Sequence, residues 1–427
     1  MRRSLLLVFI LVLGLFILGL ATLQSRLLIL AIPLVIYLAA AIFQRPEQLD
    51  LAVSREILPD HAPQGTPIQI KLTITNQGAA IDELQLEDML PGSLHPVQGK
   101  TSTLTALAAG EKVEINYVIE APRGEYKSFN VRATRRDFLG FFEKSAMYAT
   151  DPRLVIYPRY PKLSRIKIHP PQTRGFAGPI AARQGGIGID FFGIREYQPG
   201  DLQRQINWKL AARAHNQLFT NIFEQERVAD VGLIIDARQR VDIHSTSGSL
   251  FEYSIRAGAA LAENFLDEGN RVSLLLYGSG LERVYPGYGK IQLDRILKAL
   301  AKAAPGMNYA LESLAYLPTR FFPAKSQLIL ISPLEPEDIP SITQMQARGY
   351  AVLVISPDPV SYESAAYNDF SSQAYRAAMA ERYFMLQQVR RSGVQVVNWR
   401  VDQPLEAGVR DALARQPLSY HAIGMGK

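Results

Sequence analysis

The densest concentration of chemically capable side chains lies between residues 186 and 227. Charged and aromatic residues alternate there: Arg195, Glu196, Tyr197, Asp201, Arg204, Trp208, Lys209 and Arg213. A planar guanidinium both forks onto carboxylates and stacks on rings, so such a mixture has two uses. In one, Asp201, Glu196 and the arginines form an ion-pair cluster with Trp packing that locks an irregular segment in place. In the other, Arg195, Arg204 and Arg213 form a recognition surface for a partner protein. Pro199-Gly200-Asp201 reads as a turn ending in a good N-cap, which predicts a helix over residues 202–214.

Signals for catalysis are weak. The six histidines, His61, His95, His169, His215, His244 and His421, are scattered and form no His-Glu-x-x-His pair. Gly278-Ser279-Gly280 lacks the Gly-x-Ser-x-Gly spacing of a nucleophile elbow. Gly185-Gly186-Ile187-Gly188 lacks the third glycine of a dinucleotide fingerprint, because position 191 is Phe, and no phosphate-loop Lys-Ser or Lys-Thr follows. Cysteine is absent, which removes disulfides, thiolate metal sites and cysteine nucleophiles. The expectation is a protein that is not an enzyme and takes no cofactor.

Three kinds of element must carry these residues. From Val53 to about Pro158 the pattern has period two: Ile68, Ile70, Leu72 and Ile74 alternate with Gln69, Lys71 and Thr73, and Val113, Ile115, Tyr117 and Ile119 repeat the alternation. Turn signals at Asn76-Gln77-Gly78, Pro91-Gly92, Ala109-Gly110 and Pro122-Arg123-Gly124 suit a small antiparallel β-sandwich, immunoglobulin-like or fibronectin-like. Residues 159–189 are rich in Pro, Gly and Arg and read as an irregular connection. From Val228 onward, short apolar runs at Val231–Ile235, Val272–Leu276, Leu328–Ile331, Ala351–Ile355 and Val394–Val397 are of the buried parallel kind. Between them, Ser249–Leu266 and Ile291–Ala301 have helical periodicity, with Ile255, Ala259, Ala262 and Leu266 on one face and Ile291, Ile296, Leu297 and Leu300 on the other's. Alternating strands and helices imply an open α/β sheet.

The series Gly193-Ile194-Arg195-Glu196-Tyr197, Gly200-Asp201, Arg204, Ile206-Asn207-Trp208, Ala212-Arg213 and Glu224 resembles the signature block of the bacterial and archaeal domain of unknown function 58 proteins. The resemblance implies a Rossmann-like von Willebrand factor A-like domain after the block, and a MoxR-type AAA+ ATPase as partner class. In such domains a divalent cation sits at the strand ends, held by an Asp-x-Ser-x-Ser turn, a Thr from a second loop and an Asp after the fourth strand; this all-oxygen set suits Mg²⁺. Here the corresponding turn reads Asp236-Ala237-Arg238-Gln239-Arg240, the later position reads Ser332-Pro333-Leu334, and the threonine loop reads Pro305-Gly306-Met307-Asn308-Tyr309. Two guanidinium groups thus stand where a dication would bind. The expectation is a degenerate site at Asp236, Arg238, Arg240 and Ser332 that holds no metal. Asp236 would pair with Arg238 or Arg240 or cap the following loop. In a weaker reading the two arginines receive an anion or a partner carboxylate.

Leu5–Leu23 and Leu27–Phe43 are apolar runs of 19 and 17 residues separated by Gln24-Ser25-Arg26. They read as a transmembrane helical hairpin in contact with the lipid bilayer, better than as a signal peptide, whose apolar region is only about 7 to 15 residues. Arg2, Arg3 and Arg45 against the lone Arg26 of the turn place both ends in the cytoplasm, on the inner membrane. Residues 1–46 hold four arginines and no acid, so of the 46 basic and 40 acidic groups the other 381 residues carry 42 and 40. That near-neutrality argues against a nucleic-acid binder. The expected organisation is a transmembrane hairpin at 1–46, a β-sandwich at 47–158, linker and signature block at 159–227 and the α/β domain at 228–427. The expected role is a membrane-anchored, non-enzymatic interaction or scaffold protein working with a MoxR-type AAA+ ATPase in assembly or maturation of membrane or envelope complexes. The alternative is an outward-facing adhesion or envelope-assembly protein.

Overall fold

The computed structural model describes residues 3–23, 25–43, 49–136, 143–166, 168, 180–213, 217–278, 280–308, 311, 313–364 and 372–414. The chain divides into two compact units, Met1–Tyr157 and Pro158–Lys427.

The first unit opens with two helices of 19 residues, Arg3–Ala21 and Ser25–Phe43. Among the described residues no helix is long and apolar enough to cross a membrane. This corrects the expected transmembrane hairpin over residues 5–23 and 27–43. At 1.5 Å per residue each helix is about 29 Å long, and a hydrocarbon core is about 30 Å thick. Part of that length goes to Arg3 and Ser4 in the first helix and to Ser25 and Arg26 in the second, which also contains Pro33.

Two four-stranded antiparallel sheets follow. One runs in the order Leu51–Leu58, Ile68–Asn76, Lys112–Glu120, His95–Gly99; the other in the order Glu143–Thr150, Phe129–Arg136, Ile81–Met89, Ser102–Leu107. The period-two pattern is the cause of the packing. Ile68, Ile70, Leu72 and Ile74 turn inward from the first sheet and share one core with Leu84, Leu86, Phe129, Val131 and Ala133 of the second. An ion pair sits inside this core. Arg55 pairs with Asp88 and donates to Thr150 Oγ1 at 2.8 Å, while Tyr117 donates to Asp88 Oδ2 at 2.6 Å. Burial pushes Asp88 above the usual carboxylate range, with Arg55 and Tyr117 pulling it back.

In the second unit, Ile180–Glu196 pairs antiparallel with Phe219–Arg227, with irregular register near Gly185, Phe191 and Gly193. The main sheet has the order Leu281–Gly287, Arg271–Gly278, Asp230–Ala237, Gln327–Ile331, Ala351–Pro357, Gln395–Trp399. Its strands are parallel except Leu281–Gly287, which closes one edge antiparallel. Asp230–Ala237, Gln327–Ile331 and Ala351–Pro357 are buried at every residue, as expected of strands covered on both faces. Helix Leu250–Asp267 starts where Ser249 Oγ accepts from Phe251 N at 3.1 Å. In helix Gly289–Lys302, Ile296 and Leu300 point inward but Ile291 is 72% exposed, contrary to the expected face. Gln292 takes the inward position beside it, donating to Val272 O at 2.9 Å and Tyr285 O at 2.7 Å.

Candidate functional site

The strand Asp230–Ala237 comes first in the sheet, and its successors pair on opposite sides: Arg271–Gly278 on one, Gln327–Ile331 on the other. That reversal is a topological switch point, and the carboxyl ends of the strands there form the crevice in which open α/β sheets take ligands. Asp236, at the end of the first strand, is 1% exposed and Arg238 only 3%. The Arg238 side chain folds back into the crevice. Its Nε donates to Asp236 Oδ1 at 2.8 Å, Nη1 to Asp338 Oδ1 at 2.9 Å, and Nη2 to Asp236 Oδ2 at 2.5 Å and Asp338 Oδ2 at 3.0 Å. Ser332 Oγ donates to Asp236 Oδ2 at 2.7 Å, and Arg240 pairs with Glu335 and donates to Asp338 Oδ1 at 2.8 Å.

Two buried carboxylates thus hold one buried guanidinium, with Arg240 closing the outer side. Burial alone would lower the Arg238 pKa, but its hydrogen bonds to Asp236 and Asp338 raise it above the usual arginine range. The surrounding backbone is shaped to match. Gly278 has φ +153, and a Cβ there would lie 2.1 Å from the Ala237 carbonyl carbon, so only glycine lets this strand end approach its neighbour. The Pro305–Asn308 segment also arrives here, with Gly306 N donating to Ala237 O at 3.1 Å. Leu334 is held at φ 61, a left-handed backbone that costs a non-glycine residue about 1–3 kcal/mol. Ser332 Oγ accepts from its N–H at 3.1 Å and its side chain is buried in the core.

A second buried arginine grips the same loop from the other side. Arg382, on helix Ser372–Arg391, donates to Pro333 O at 3.0 Å, to Ser356 Oγ at 3.0 Å and to Asn398 Oδ1 at 2.8 Å, and pairs with Asp358 at 3.1 Å. Burial pushes its guanidinium down to about 10, with Asp358 opposing, so it remains charged at neutral pH.

This arrangement does not fit a dication. All four oxygens of Asp236 and Asp338 already accept hydrogen bonds, and a buried cation occupies the space between them. It also departs from the reading in which Arg238 and Arg240 receive an anion or a partner carboxylate. Arg238 commits its Nε, Nη1 and Nη2 to internal carboxylates, and Arg240 is held by Glu335 and Asp338. Asp338 and Glu335 escaped sequence reasoning because they lie about a hundred residues away. Glu335 and Asp338 form a capping box around the 3-10 turn Pro336–Asp338, which leads into helix Ile339–Ala347.

The signature residues split into a frame and a face. Arg195 Nη2 donates to Asp201 Oδ1 at 2.6 Å, and Gln198 N and Thr220 Oγ1 each donate to Asp201 Oδ2 at 3.0 Å. The hydrogen bond from Arg195, helped by that from Gln198 N, holds Asp201 below the usual carboxylate range. Gly200 supplies φ +109 in the turn. The expected helix over 202–214 is corrected to a 3-10 turn, Gln203–Gln205, and a single α-turn, Trp208–Ala211. Ile206 breaks it: extended and buried, it bridges to Thr220, and Asn207 then caps the next turn by accepting from Leu210 N at 2.9 Å. Asn207 also donates to Asn221 Oδ1 at 2.8 Å. Tyr197 is half-buried and its N–H donates to Leu218 O. Glu196, Arg204, Trp208, Lys209 and Arg213 are exposed. Glu224 pairs with Gly185 through the backbone, and its side chain lies outside the described residues.

Residues 193–355 match the family described as Protein of unknown function DUF58. The matched segment begins at the signature block and ends on strand Ala351–Pro357, so it contains both the Asp201 frame and the Arg238 crevice. The chain is 30% identical over 201 residues to the uncharacterized protein YeaD of Bacillus subtilis, covering 45% of this chain and 47% of that protein. It therefore spans about half the length of that curated relative. Among solved structures, similarity extends to native alpha-2-macroglobulin of Escherichia coli from domain MG7 to the C-terminus, with TM-score 0.22 and 16% identity over 30% of this chain and 20% of that one. The CARDB domain of a Pyrococcus furiosus protein in complex with di-metal ions is similar with TM-score 0.18 and 13% identity, over 26% of this chain and 96% of that one.

Proposed function

We propose that this chain is a non-enzymatic interaction protein that works with a MoxR-type AAA+ ATPase in the assembly or maturation of protein complexes. The observation that carries the reading is the Arg238 guanidinium bound by Asp236 and Asp338 in the switch-point crevice. Substrates and cofactors of open α/β sheets bind at that place; here it is filled by the chain's own side chain. The working surface then lies outside the crevice. The partner class follows from the resemblance of the signature block, and the reading puts both compact units in the cytoplasm, where an ATPase finds its nucleotide.

Affinity purification of the tagged full-length chain in the presence of ATP and of ADP tests this. The expected result is recovery of a MoxR-type ATPase in at least one nucleotide state. Recovery of no such ATPase in either state would count against the reading.

A further inference from the structure

Around the Asp201 frame, one short segment presents apolar and cationic side chains to solvent together. Trp208 is 64% exposed and Leu202 48%, and Ile194 and Leu218 are exposed beside them. Arg204, Lys209 and Arg213 are exposed too, and among the described residues none of the three is ion-paired with a carboxylate. Of the acids in residues 194–213, Asp201 is spent on Arg195, Gln198 N and Thr220, and exposed Glu196 stands alone against the three cations.

The frame makes this display specific. A flexible loop could bury Trp208 against its neighbours; here Ile206 is bridged to Thr220, Asn207 is tied to Asn221 and Leu210, and Tyr197 N is bonded to Leu218 O. The segment is thus held by its polar backbone and amide contacts while its largest apolar and cationic side chains point away. Trp and Arg are residues in which binding energy concentrates at interfaces, Trp through a large rigid contact area and Arg through its planar fork of donors. Unneutralised cations around an apolar anchor select a complementary, negative surface and repel a positive one.

We propose that Leu202, Arg204, Trp208, Lys209 and Arg213 form a docking surface for an acidic segment of a partner protein, with carboxylates meeting the three cations and an apolar side chain meeting Trp208. This rests on the interaction-protein reading but does not depend on which partner is engaged.

The test places a photo-crosslinking amino acid at Leu202 of the full-length chain in its native cells, with the same amino acid at Tyr285, 70% exposed, as a surface control. The expected result is an adduct at position 202 whose partner peptide carries net negative charge. Its yield should fall about tenfold in Trp208→Ala and in the double variant Arg204→Glu with Lys209→Glu, while both variants melt as the parent does. No adduct above the Tyr285 control, a neutral or basic partner peptide, or an adduct indifferent to charge reversal would overturn the proposal. An acidic partner that is not an ATPase would leave this surface assigned and remove the MoxR-type reading instead.

Discussion

The crevice and the signature block use the same residue types to opposite ends. In the crevice, Arg238 is buried and donates to two carboxylates, which already accept from Ser332 and Arg240 as well. In the signature block a single pair, Arg195 with Asp201, anchors the turn, and Arg204, Lys209 and Arg213 stay exposed. An arginine is therefore a staple or a probe according to how many acceptors the fold supplies to it. Removing a buried partner strands charge in a low-dielectric interior, whereas removing an exposed one takes away only what a partner would have met.

The largest loss of stability is expected of Arg238→Met. It leaves Asp236 and Asp338 facing each other with no buried cation between them, and loss of one partner from a buried pair costs about 3–5 kcal/mol. A large drop in melting temperature followed by circular dichroism is expected, and an unchanged melt would show that the crevice is not held by this residue. Next comes Arg55→Met in the sandwich, where the loss should be smaller. Only one carboxylate is stranded, and Tyr117 still donates to it at 2.6 Å. Because burial already raises the Asp88 pKa, protonation relieves the variant. Its deficit should shrink as pH falls and grow as pH rises through the folded value; a deficit flat across acid pH would refute this.

Asp201→Asn should destabilise less than either. The pKa of Asp201 is lowered in the fold, so its contribution is complete above the ordinary aspartate value of about 3.9 and is lost as pH falls through the lowered one. The difference in melting temperature between parent and variant should be present at neutral pH and vanish in strong acid. A difference that persists there would mean that Asp201 acts by shape alone. The smallest effect on stability belongs to Trp208→Ala, within about 0.5 kcal/mol, because exposed substitutions rarely do more. A cooperative loss of fold in this variant would make Trp208 part of the frame.

Local pattern carried much of the architecture. Alternation at Ile68, Ile70, Leu72 and Ile74 and the apolar runs at Val231–Ile235 and Leu328–Ile331 are legible because burial on one or two faces leaves a direct imprint on residue type. Asp236, Arg238 and Ser332 could be picked out as one locus, but not the partner that completes it. Asp338 meets Arg238 across a hundred residues, and no local pattern encodes that meeting. The helix expected over 202–214 failed for a related reason: its capping signal was present, but the bridge from Ile206 to Thr220 outweighs local propensity. The apolar N-terminal runs did give helices, Arg3–Ala21 and Ser25–Phe43, but composition alone overstated their spanning length.

The guanidinium of Arg238 closes the switch-point crevice, and the proposed function therefore assigns interaction to the exterior. Calorimetric titration of Mg²⁺, repeated with Mn²⁺, into the full-length chain tests it most directly. No saturable binding in the micromolar range is expected; micromolar binding that is lost in Asp236→Asn would mean that Asp236 is open to a dication.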